Sequence, residues 1–109
     1  MTGDSDPEDD DTASNAAFDG YEVRKLAIIN RKGLHARATA KFVQCVDGFE
    51  ADIKVGRCGE IVSGHSIMGI LTLGAGIGTH IFVGARGADA QNALDAIAAL
   101  VASRFGEDE

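Results

Sequence analysis

The residues best placed to do chemistry lie in one short run, "NRKGLHAR", from Asn30 to Arg37. The Lys32-Gly33 turn leads into "ARATAKFVQCVD", where Ala38, Phe42, Cys45 and Val46 recur at helical spacing. The capping position of that helix falls near His35, and the first charge inside it is Arg37. Helix starts favour Ser, Thr, Asp or Asn as caps and acids in the first turn, so both residues run against stability. Without a capping oxygen the first amides point unpaired beyond the helix end, and with the helix dipole they form an anion site. Arg37 adds a fixed cation whose fork suits phosphate. An imidazole titrates near pH ~6.5 when unperturbed, and both the helix end and Arg37 favour its neutral, nucleophilic form. Several local rules fail in one direction, and together they imply a phosphoryl group carried on His35. On spacing alone, a turn-capping histidine beside a solvated arginine stays open.

These groups must be held by a small scaffold. The chain has 109 residues and is 45% hydrophobic, enough for one compact domain. "YEVRKLAIIN" reads as a first strand from Tyr21 to Asn30, and the helix runs from Ala36 to about Asp47, with Gly48 at its end. Ala51, Ile53 and Val55 alternate with charged residues, and a turn at Gly56–Gly59 leads to a short strand at Glu60–Val62. "SIMGILTLG" reads as a short helix, "GTHIFVGARG" as a strand, and "ADAQNALDAIAALVASRFG" as the strongest helix of the chain. In that last helix Ala90, Leu94, Ile97, Leu100 or Val101, and Phe105 make one stripe. The order β-α-β-β-α-β-α implies an α+β domain of two layers, an antiparallel sheet with helices on one face.

Charge divides the chain. Residues 1–20 hold seven acids and no Lys or Arg, and Glu107, Asp108 and Glu109 close the sequence. The stretch 21–106 between them has seven acids against ten bases, for a net of +3 within a chain of −7. We therefore expect a disordered acidic tail over 1–20, a domain over 21–106 and an acidic end at 107–109. Removing residues 1–19 is expected to leave stability nearly unchanged. The basic bias is too weak, and aromatic platforms too few, for nucleic-acid binding. No run has membrane-spanning length and no signal peptide is recognisable, so no membrane insertion is expected. Cys45 and Cys58 have no metal-ligand spacing and read as free thiols in a reducing cytoplasm. His65 and His80 read as bystanders, with no metal motif around the three histidines.

Two stretches carry a family likeness. "GLHARATAKFV" resembles the active-site motif of the histidine-containing phosphocarrier (HPr) family of the phosphoenolpyruvate-dependent phosphotransferase system. "HSIMGILTLGAGIGTHIFVGARG" resembles that family's second signature, and the likeness runs from about Tyr21 to Phe105. The resemblance implies an open-faced sandwich, a four-stranded antiparallel sheet covered on one face by three helices. It implies that His35 accepts phosphate from enzyme I and passes it to enzyme IIA-type acceptors. Arg37 would neutralise the group, and the amides of Ala36 and Arg37 would hold it. Many members carry proline after the arginine, where this chain has Ala38.

Ser66 is a natural helix cap, and the resemblance adds regulatory phosphorylation by an HPr kinase/phosphorylase. Ile67, Met68, Ile70 and Leu71 cannot all face inward from one short helix, so some are expected to form a docking patch. The implied protein is a cytoplasmic monomer without cofactor or metal, a carrier instead of an enzyme. A regulatory module on the same fold, signalling through Ser66 without phosphoryl turnover, is the alternative. Such a module has no need of His35 and Arg37 together.

Overall fold

The computed structural model describes residues 16–109. Strands β1 (Glu22–Ala27), β2 (Asp52–Arg57), β3 (Glu60–Ser63) and β4 (His80–Arg86) form one antiparallel sheet in the order β1-β4-β2-β3. Helices α1 (Ala36–Asp47), α2 (Ile67–Thr72) and α3 (Ala90–Ala102) cover one face, giving the expected open-faced arrangement. Alternation sets the layers: Ile53 and Val55 on β2, with Ile81, Val83 and Ala85 on β4, point into the core beneath the helices. Helix α1 contributes Ala38, Phe42 and Val46 to that core, and α3 contributes Leu94, Ile97 and Val101. Of the two alternatives for the α3 stripe, Val101 is buried and Leu100 packs at the margin.

Boundaries moved where the chain had other uses for a residue. β1 ends at Ala27, although Ile28 still exchanges backbone hydrogen bonds with Gly78 and Thr79 at 2.9 and 2.8 Å. The chain then turns Asn30 fully inward. The β2–β3 hairpin turns on Cys58 and Gly59, both left-handed (φ 52° and 85°), the pairing that matches strand twist. Phe105, expected in the stripe of the last helix, lies beyond α3 in a separate 3-10 turn with Arg104 and Gly106.

The turn that follows α3 brings the final residues against α1. Arg104, Phe105 and Gly106 all adopt left-handed conformations (φ 58°, 56° and 78°). For a non-glycine residue this costs roughly 1–2 kcal/mol each. Burial of the Phe105 ring offsets that cost, and Lys41 on α1 donates to the Phe105 carbonyl at 2.6 Å. The chain thereby reverses toward the start of α1.

The expected disorder over residues 1–20 is corrected at its near end, while residues 1–15 lie outside the described residues. Ala16–Phe18 form a single 3-10 turn on the outer face of the sheet, where Phe18 is only 4% exposed. The reason is a notch in β4. A Cβ at Gly84 would come within 2.6 Å of the Phe18 ring, so only glycine admits it. Lys54 on β2 donates to the Ala17 carbonyl at 3.2 Å. Tyr21 lies between Lys54 and Arg86, whose cations are 4.9 and 4.7 Å from the ring centre, and its hydroxyl donates to Asp52.

Phe18→Ala should therefore cost about 2–4 kcal/mol, in the range of large-to-small core substitutions. For a domain of this size that lowers the melting temperature by roughly 10–20 °C. Removing residues 1–19 takes the ring with it, so that truncation is also destabilising. Calorimetry showing both variants melting within about 2 °C of wild type would contradict the packing described.

Candidate functional site

The loop before α1 is pinned from two directions. Gly33 is left-handed (φ 66°), and a Cβ there would stand 2.5 Å from the Ala75 carbonyl oxygen. That approach lets Leu34 donate its amide to the same carbonyl at 2.8 Å and bury its side chain. Behind it, the fully buried Thr39 hydroxyl donates to the Leu34 carbonyl at 3.2 Å. His35 follows in extended conformation (φ −76°, ψ 179°) as the residue before α1, and its carbonyl accepts the first helical bond, from Thr39 at 2.9 Å.

The helix start is as open as the sequence indicates. No side chain caps it, and the amides of Ala36 and Arg37 have no partner among the described residues. The exposed Arg37 guanidinium likewise has no hydrogen bond or ion pair among those residues. Ala38 is fully buried in the first turn, so packing against the core holds that turn in place. Arg31, Lys32, His35 and Arg37 line a cleft of about 280 Å³, ample for a phosphoryl group.

The other wall of that cleft is the segment the sequence set aside as a mere acidic end. Glu107, Asp108 and Glu109 line it. The Glu107 carboxylate meets His35 Nε2 at 2.5 Å and accepts from the Asn30 amide at 3.0 Å. Glu109 pairs with Arg31 twice, side chain to side chain at 2.7 Å and backbone to backbone at 2.8 Å. An ionised carboxylate accepts but cannot donate, so the His35 nitrogen that meets it, Nε2, carries a proton. The sequence expectation placed only positive groups around the imidazole; the structure adds a carboxylate 72 positions away. The hydrogen bond from His35, followed by that from Asn30, holds the Glu107 carboxyl below its ordinary value of 4.5.

Ser66 caps α2, its Oγ accepting from the Gly69 amide at 2.9 Å. Of the four residues assigned to docking, Ile67 and Met68 are exposed, at 41% and 70%, and Leu71 is half-buried. Ile70 is a correction: it is 0% exposed and belongs to the core, because α2 packs on α1 and directs that position inward. His65 pairs with Asp47 at 2.8 Å, and His80 opens β4. Among the described residues no group of three or more His, Cys, Asp or Glu is arranged to hold a metal, and no helix is long and apolar enough to cross a membrane.

Several known proteins resemble this chain in sequence and fold. The family model described as "PTS HPr component phosphorylation site" matches residues 23–103. The phosphocarrier protein HPr of Cupriavidus necator is 48% identical over 86 residues, covering 79% of this chain and 97% of that protein. That of Pseudomonas putida is 41% identical, covering 80% and 98%. The crystal structure of HPr-C-His from Thermoanaerobacter tengcongensis superposes with a TM-score of 0.78 at 38% identity, covering 81% of this chain and 99% of that one.

A carboxyl held below its ordinary value contributes stability that is fully present above pH 4.5 and is lost as pH falls through the lowered value. A carbon-13 titration of the Glu107 carboxyl should therefore show a midpoint below 4.5. A midpoint at or above 4.5 would mean that the contact with His35 is not maintained in solution.

Proposed function

This chain belongs to the HPr family of phosphocarriers, and we propose that His35 is its phosphoryl acceptor. In this reading the donor is enzyme I, the onward acceptor is an enzyme IIA-type protein, and the relay is cytoplasmic with the carrier a monomer. The observation that carries it is the uncapped start of α1, where an imidazole, two unpartnered amides and an unpaired guanidinium converge. Each supplies one requirement of the chemistry. The ring offers a nucleophilic nitrogen, and the amides of Ala36 and Arg37 with the helix dipole hold the transferred oxygens. The Arg37 fork neutralises their charge. The protein transfers the group between partners and releases no product of its own.

Incubation with phosphoenolpyruvate and enzyme I should label His35 on a ring nitrogen, giving an adduct labile in acid and stable in alkali. His35→Ala should reduce labelling to background. Undiminished labelling of that variant would place the phosphoryl group elsewhere.

Ser66 serves as the regulatory site in the same reading, phosphorylated by an HPr kinase/phosphorylase. Its Oγ already caps α2, and a phosphate of charge roughly −1.5 to −2 is compatible with a helix start. Beside it Ile67 and Met68, flanked by Leu71, present an apolar patch for enzyme I. A dianion there must be desolvated when the partner docks, which weakens association without disturbing the fold. Ser66→Asp should raise the apparent KM of the carrier about tenfold, equivalent to roughly 1.4 kcal/mol of docking energy. Its circular dichroism should remain native. Unchanged transfer kinetics would leave Ser66 as a helix cap alone.

A further inference from the structure

We propose that Asn30 and Glu107 act as a positioning pair for His35, fixing its tautomer and balancing the charge that its ring acquires during transfer. The inference rests on His35 being the phosphoryl acceptor. Glu107 Oε2 accepts from His35 Nε2 at 2.5 Å, while Oε1 accepts from Asn30 Nδ2 at 3.0 Å. The second hydrogen of the same amide goes to the Gly33 carbonyl at 2.9 Å. One side chain therefore ties the loop before His35 to the carboxylate behind its ring.

Asn30 is an expensive way to stabilise a fold. It is fully buried, and its Oδ1 has no partner among the described residues. A buried, unsatisfied acceptor costs stability, so an apolar residue would serve the core better. What the amide does accomplish is orientation: both of its donors are committed, and both act on the site. The left-handed turn at Arg104–Gly106 has the same character, because local strain is spent to bring Glu107 to the ring.

The chemical consequence follows from the proton on Nε2. The Nδ1 lone pair attacks the phosphorus of the phosphorylated donor and forms the N–P bond. The bond from phosphorus to the donor atom breaks, and its electron pair leaves with the donor. The proton stays on Nε2, so the ring becomes a cation shared between both nitrogens, with Glu107 against the protonated one. On transfer to the acceptor the same steps run in reverse. A carboxylate that orients an imidazole and stabilises its cation typically acts on the chemical step and not on partner binding.

Nitrogen-15 spectra of the full-length, unphosphorylated protein at pH 8 test the positioning directly and require no donor. His35 should be the Nε2–H tautomer in wild type and a mixture of both in Glu107→Gln. Transfer kinetics with enzyme I supply the second measurement. Glu107→Gln should lower kcat about tenfold, with KM within about twofold. Asn30→Ala should lower kcat less, and adding it to Glu107→Gln should cause no further loss, as expected of residues acting as one unit. An Nδ1–H tautomer in wild type, or wild-type kcat in Glu107→Gln, would overturn the proposal. Additive losses would overturn the part assigned to Asn30. Failure of wild type to take phosphate on His35 would refute the carrier reading instead, with the tautomer still reporting on the pair.

Discussion

A helix whose first amides have no side-chain oxygen to bond carries an unspent positive end. At the start of α1 that end is left open, with the imidazole of His35 and the guanidinium of Arg37 beside it. Much of the surrounding structure keeps it open and in place. Gly33 lets the loop press against Ala75, Thr39 ties Leu34 from behind, and the core face of α1 fixes the helix against the sheet. Stability forgone at one helix terminus is recovered in the core, and the terminus is left free to receive an anion.

The site is electrostatically balanced by a segment remote in sequence. Arg31, Lys32 and Arg37 face Glu107, Asp108 and Glu109 across one cleft. The acidic residues thus supply the counter-charge that keeps a cluster of cations tolerable before any phosphoryl group arrives. The two ends of the described chain work on opposite faces. The final residues close over the helix start, while Ala16–Phe18 cover the outer face of the sheet that the helices leave open. Phe18 and Glu107 both fall outside the 23–103 span matched by the family model.

What could be read from the sequence was what is written locally. Alternation in β2, helical spacing in α1 and α3, and glycine at the turns gave the element order, because each signal is contained within a few residues. His35 and Arg37 were legible for the same reason: they break capping rules that apply over one turn. Ile70 was misassigned because a six-residue helix is too short for its spacing to define a face, and only its packing on α1 does so. Glu107 and Asn30 left no local mark. Their roles depend on three consecutive left-handed residues and on a contact spanning 77 positions. Phe18 did leave one, as the lone aromatic residue of an acidic stretch, but the notch at Gly84 that receives it belongs to a strand far along the chain.

In the proposed relay, one ring nitrogen of one histidine carries the phosphoryl group. A phosphorus–nitrogen correlation spectrum of the nitrogen-15-labelled protein, phosphorylated from phosphoenolpyruvate through enzyme I, tests it most directly. A single phosphoramidate signal coupled to Nδ1 of His35 is expected, with Nε2 still protonated against Glu107. Coupling to Nε2, or to a ring nitrogen of His65 or His80, would contradict it.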